Sequence, residues 1–355
     1  MRRRLLVCVG LMGALGILLS CGVAPVVTVN VLKPASLHLP GIKKIAIADL
    51  QGPNRSGTQI ATLAQSMIME TGHFDVMERD KLRRVLEEQN LGMTGIVDAS
   101  TAAEIGKLLG VQALIFGEVA TYEIEPDKEI TRMVKQRRGT GKYHEVEEKD
   151  KKTGKMKKVK KEIEEEVWIP RKRWVRKGTV AINFRVVDVE TGRLLAAHSD
   201  SKSYDSEKEK TSFLQRYSDK QNLKPEGEIL ADLSKAICEK FARMVAPYYS
   251  EESRRLESGK GSIKVGVKYA TAGLWPEAIE AWKQAVQEMP EEPAAYYNLG
   301  LGMEVQGDLD RAEALYQEAI QLKQKDLYMK AVAHVRKARE EQKKLQEQLG
   351  GDEER

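Results

Sequence analysis

The hydrophobic positions change period along the chain, and each change marks an element. The changes come closest together over residues 72–119. Phe74–Met77 alternates bulky and polar residues, as a half-buried strand does. Asp80 then opens a helix whose apolar positions, Leu82, Val85 and Leu86, fall at i, i+3 and i+4 with charges opposite. After a Gly-rich connector, Ser100 opens a second helix striped by Ile105, Leu108 and Leu109. Gly110 supplies the left-handed residue that ends it. Val111–Val119 is apolar enough for a central strand. Upstream, Ile42–Leu50 predicts a strand, and Gln59–Thr71 a helix with Ile60, Leu63, Ala64, Met67 and Ile68 on one face. Downstream, Val180, Ile182, Phe184 and Val186 alternate, Glu190-Thr191-Gly192 turns, and Leu194–Ala197 returns as a hairpin. A helix near Glu226–Met244 carries Ile229, Leu233, Ile237 and Phe241 on one face, and Pro247 closes it. Together these predict an α/β (α+β) domain with a mixed sheet.

A second pattern follows a polar linker at residues 250–260. Shifting the chain by 34 residues aligns Gly273, Ala278, Trp282 and Ala285 with Gly307, Ala312, Tyr316 and Ala319. The period matches the tetratricopeptide repeat. Small residues at two aligned positions let antiparallel helices approach, and the aromatic pair fills the gap between them. The expectation is an all-α solenoid over residues 261–349, with a partial first helix at Ile263–Thr271 and a polar cap around Asp326–Leu349. Such modules present a concave face to protein segments. Trp275, Trp282, Tyr296, Asn298 and Tyr316 are the candidate protein-binding positions here.

Composition changes this picture in one place. Hydrophobic residues make up 41%, enough for real cores, and the net charge is only +5. Between Asp127 and Gly178, however, 19 Lys/Arg stand against 10 Asp/Glu, so the remainder of the chain is slightly acidic. This insertion reads as a long solvated hairpin or loop. Val167-Trp168-Ile169-Pro170 and Trp174-Val175 predict that its return arm is ordered. A sharper reading makes it a docking arm for an anionic partner such as lipid headgroups, lipopolysaccharide or an acidic protein. No nucleic-acid partner is expected, because the basic character is confined to this segment.

The start of the chain reads as a leader. Arg2–Arg4 precede an apolar run, Leu5–Leu19, that is short for a membrane span, and Ser20-Cys21 follow. This resembles a bacterial lipoprotein signal. It implies that residues 1–20 are removed, that Cys21 is acylated, and that residues 21–40 are a tether. Gly22, rather than Asp, points to the outer membrane, periplasmic face. Cys238 sits in an amphipathic helix and reads as a small buried side chain.

No catalytic, metal or cofactor site is predicted. The five histidines (His38, His73, His144, His198 and His334) show no ligand spacing. The Gly52–Gly57 turn lacks the Lys-Ser/Thr of a phosphate loop, and no G-x-S-x-G nucleophile motif occurs.

The strings VMERDKL and FRVVDVETGRLL, set in this order of elements, resemble the curli-assembly, CsgG-like family of outer-membrane lipoproteins. The resemblance covers about residues 42–248, within a domain at 41–249. It implies an envelope role, with a possible homo-oligomer. Channel members form rings that insert two hairpins per subunit, and related lipoproteins activate penicillin-binding proteins. The insertion departs from the channel pattern, because a lipid-facing strand needs about 9–11 residues with alternate positions apolar. The leading expectation is a non-catalytic scaffold that binds partners through its repeats. A ring-forming secretion subunit and a cell-wall synthase activator are the alternatives.

Overall fold

The computed structural model describes residues 25–88, 99–149, 156–208 and 220–350. The segment read as a leader and Cys21 lie outside these residues, as does the Gly-rich connector at 89–98. The chain divides into two compact units. One spans Pro34–Tyr248; the other joins the described residues up to Lys33 with Tyr249–Gln346.

The chain opens on β1 (Val26–Lys33) of the second unit. The first unit then runs β2 (Lys44–Ile47), α1 (Ser56–Glu70), β3 (Asp75–Val76), α2 (Arg79–Glu88), α3 (Ala99–Leu109) and β4 (Ala113–Ile124). It continues through β5 (Lys128–Lys149), β6 (Met156–Val175), β7 (Lys177–Asp188), β8 (Leu194–Asp205) and α4 (Glu226–Val245). Five strands form one sheet in the order β3-β2-β4-β7-β8. β2 pairs in parallel with β3 and β4, whereas β4–β7 and β7–β8 are antiparallel, so the sheet is mixed.

Strand alternation sends side chains to two buried layers, which explains why β4 reads as continuously apolar. Ile45, Ile47, Ile115, Ile182 and Phe184 pack with Ile60 and Ile68 of α1 and Phe241 of α4. Ala46, Ala48, Leu114 and Phe116 pack with Leu82 and Leu86 of α2 and Ile105 and Leu109 of α3. Phe184 stacks on Phe241 with ring centroids 4.1 Å apart. Leu108, read as part of the α3 stripe, is 58% exposed. Ala102 and Gly106 face the sheet instead. Small residues let α3 lie close to Val189, where a Cβ on Gly106 would come within 2.2 Å of that side chain. Cys238 is fully buried in α4, and burial pushes its thiol up to about 12, so it stays a neutral packing group.

The charged insertion is a two-stranded ribbon. β5 and β6 pair antiparallel with an irregularity between Gly139 and Tyr143. Its base is clamped: Arg176 donates to both carboxylate oxygens of Asp127 at 2.7 Å and to the Lys224 carbonyl at 2.9 Å. The Arg176 contact, with burial working against it, holds the Asp127 carboxyl below the usual range.

The second unit contains β9 (Tyr248–Arg255) and five helices: α5 (Gly261–Thr271), α6 (Trp275–Glu288), α7 (Pro293–Val305), α8 (Leu309–Leu322) and α9 (Asp326–Gly350). β1 and β9 form a two-stranded sheet, so segments read as tether and linker are strands here. The 34-residue shift superimposes α6 on α8. It also relates Gly266 to Gly300, whose role the sequence reading missed. A Cβ on Gly266 would lie 2.4 Å from the Trp282 indole, and one on Gly300 2.8 Å from the Tyr316 ring. In each helix pair, a glycine makes room for the aromatic ring of its neighbour.

Candidate functional site

α7 is the centre of the helical unit and is buried almost all round, from Ala294 to Met303. One face of it meets the chain's own segment from Glu252 to Glu257. Along β9 half-buried and exposed residues alternate strictly, as in a strand laid against a surface. Leu256, just beyond, is fully buried among the helix side chains and donates its amide to the Pro25 carbonyl at 2.8 Å.

Two α7 side chains read the backbone of this segment. The Tyr297 hydroxyl donates to the Arg255 carbonyl at 2.7 Å. Asn298, with no exposed surface, makes a two-way clamp on Glu257. It accepts the amide at 2.9 Å and donates to the carbonyl at 2.8 Å. A backbone pair shielded in part from water still needs partners, and one carboxamide supplies both.

Charges read the side chains. Lys325 lies 2.6 Å from the Glu257 carboxylate. Lys33 of β1 bridges Glu252 at 2.6 Å and Glu341 at 2.7 Å. Arg254 pairs with Glu252, and reaches Glu304 at 3.1 Å. Glu304 also accepts from the Tyr316 hydroxyl at 2.8 Å, and the ring of His334 sits 3.1 Å from it and 3.2 Å from Glu252. Burial alone would raise Glu252, but hydrogen bonds from Lys33 and Arg254 outweigh it and hold the carboxyl down at about 2. Glu304 is likewise lowered against its burial, by His334, Arg254 and Tyr316.

This predicts an acid response. An unfolded glutamate takes up its proton near pH 4.3, and Glu252 in the folded chain near pH 2. Its stabilisation is therefore complete at pH values well above 4.3 and is lost as pH falls towards about 2. Thermal unfolding of the helical unit, followed by tryptophan fluorescence, should weaken over that window, and Glu252→Gln should flatten the response.

The five candidate binding residues are placed differently from one another. Trp282 and Tyr316 are fully buried, and the Trp282 indole donates to the Ile263 carbonyl at 3.4 Å. They hold helices together and offer no surface. Asn298 is engaged by the chain's own backbone. Trp275, edge-on to Trp282 at 6.5 Å, and Tyr296 are half-buried at the margin of the same core. Glu304, His334, Glu341 and Lys33 were not singled out by sequence, since isolated charges on helix faces, or at the end of a strand as Lys33 is, carry no pattern. Among the described residues, no group of three or more His, Cys, Asp or Glu is placed to hold a metal, and no helix is long and apolar enough to cross a membrane.

The family model for the curli production assembly/transport component CsgG matches residues 52–264. The chain belongs to the CsgG family. A separate model, a domain of unknown function (DUF6340), matches residues 264–349, the helical unit. No curated protein matches the chain. Among solved structures, a PelC dodecamer from Paraburkholderia phytofirmans is similar at 9% identity, covering 61% of this chain and 98% of that one, with a TM-score of 0.29. Lipoprotein GNA1162 from Neisseria meningitidis is similar at 12% identity, over 56% and 98% of the two chains, with a TM-score of 0.30. The LpoB C-terminal domain from Salmonella enterica shows 9% identity over 47% and 87%, with a TM-score of 0.26. This CsgG-family chain thus joins the family domain to a helical unit that carries a different family model.

Proposed function

We propose that this CsgG-family protein is a non-catalytic adaptor of the cell envelope. Cys21 is acylated and holds it at the periplasmic face of the outer membrane. The helical unit, tetratricopeptide-like in its 34-residue period, recruits a protein partner in envelope assembly or secretion. The observation that carries this reading is the clamp of Asn298 and Tyr297 on an extended backbone. A helical face able to read alternate side chains and the backbone between them is a receptor for strand-like segments. In the described chain its occupant is the protein's own residues 252–257, so partner capture proceeds by exchange with that segment. Trp282 and Tyr316 set the shape of the receptor, while Trp275 and Tyr296 pack at the margin of its core.

Acylation supplies the anchor: each buried CH₂ contributes about 0.8 kcal/mol, so a multiply acylated Cys21 stays in the bilayer. The wild-type chain should remain in the membrane fraction through a high-salt wash, and Cys21→Ala should be released by that wash. Retention of Cys21→Ala after the wash would overturn the anchor.

A further inference from the structure

The register of the β5–β6 ribbon sorts its side chains in a way the sequence does not announce. Cross-strand partners share a face, and the pairs Val134–Ile169 and Val146–Val159 define one of them. Every Ile and Val of the two strands falls on this face, Ile130, Ile163 and Val167 included. On the same face lie seven Lys/Arg against two acids, Glu148 and Glu165. The opposite face carries Met133, Tyr143 and Trp168, and equal numbers of basic and acidic residues. Those charges neutralise one another in cross-strand pairs: Lys135–Glu166 at 2.9 Å, Lys172–Glu129 at 2.8 Å, and Lys158–Glu145 and Arg137–Glu164 at 3.9 Å. On the aliphatic face the ion pairing within the ribbon is Lys161–Glu148, and at the base Arg132 and Arg173 share Glu207.

We infer that the aliphatic face of this ribbon lies flat on an anionic lipid surface. A strand of 22 residues spans roughly 70 Å, long and narrow, with aliphatic groups and cations interleaved beyond the base, where Val175 is buried and Arg173 is held by Glu207. Such a face lacks the dry apolar centre of a protein interface, from which charges are depleted. A lipid boundary accepts both kinds of side chain at once: the stems and Ile/Val groups settle among headgroups and upper acyl chains while Lys and Arg meet phosphates. Packing two such faces together, copy on copy, would oppose two cationic arrays. Spanning the bilayer is excluded for these strands, because both the aliphatic and the opposite face are charged along their length and each Lys or Arg facing lipid near the midplane costs about 2–4 kcal/mol. The inference rests on the envelope location proposed above, but its test does not use the acyl anchor.

The probe is a flotation assay with the chain from residue 21 onward carrying Cys21→Ala, at low salt, on phosphatidylcholine vesicles with and without phosphatidylglycerol. Binding should require phosphatidylglycerol and disappear at high salt. Arg138→Glu with Lys157→Glu, both on the aliphatic face, should lower the partition coefficient by at least about fivefold per site. Lys149→Glu with Lys160→Glu changes the net charge equally on the other face and should lower it far less. Equal loss from both pairs would show simple net-charge attraction and overturn the proposal, as would absence of phosphatidylglycerol-dependent binding. Dimerisation abolished by the Arg138/Lys157 pair alone would assign the face to a second copy instead. None of these failures bears on the salt-resistant anchoring that tests acylation at Cys21.

Discussion

Trp282→Ala should cost the helical unit about 3–5 kcal/mol, the range for removing a fully buried large aromatic from a core. Trp282 has no exposed surface, fills the space Gly266 leaves, and ties α6 to the Ile263 carbonyl. Domains of ordinary stability hold about 5–15 kcal/mol in total, so the unit should be left marginal or unfolded. In a unit of this size, each kcal/mol moves Tm by about 4–8 °C. Calorimetry should therefore show the transition of the helical unit falling by at least about 12 °C, while that of the α/β unit stays in place. Trp275→Ala, at a half-buried position, provides the comparison and should shift it much less. A fall of under about 1 kcal/mol for Trp282→Ala would mean that the repeat aromatics do not hold the helices together.

The same residue shows what was legible in the sequence and what was not. The 34-residue period placed Trp282 and Tyr316 in equivalent positions, and the structure buries both between helices whose bounds the period anticipates. The central strand around Leu114–Phe116 and the hairpin through Phe184 were legible because their periodicity is local. The candidate site was not. Tyr248–Arg255 is polar or charged after its two tyrosines, and its strand character comes from pairing with β1, more than 200 residues earlier in the chain. Val26–Lys33 does contain four valines and a leucine, but a run between prolines looks equally like a tether. Asn298 was singled out as a binding residue, yet its occupant could not be inferred, since a backbone ligand has no sequence signature. The faces of the ribbon were hidden for a related reason: which side chains share a face depends on register across two strands, and neither strand fixes it alone.

Asn298→Ala should free residues 252–257 from the helical unit. The substitution leaves the part-buried amide and carbonyl of Glu257 without their partner, at about 1 kcal/mol or more for each group. Release into solvent rehydrates both groups and relieves that cost, so the segment, rather than the helices, is where the loss should appear. Lys33, Arg254 and Lys325 still favour the docked state, and their pairs weaken with salt only in part because they are partly buried.

Hydrogen exchange followed by mass spectrometry tests most directly whether this protein works as a receptor for extended segments that presently holds its own. For Asn298→Ala, amides of residues 252–257 should lose protection by at least roughly 30-fold, as about 2 kcal/mol implies, while α5–α9 keep theirs. Loss of protection across the helices together with the segment would contradict the account, making residues 252–257 a fixed part of the unit's core and not a ligand that a partner can replace.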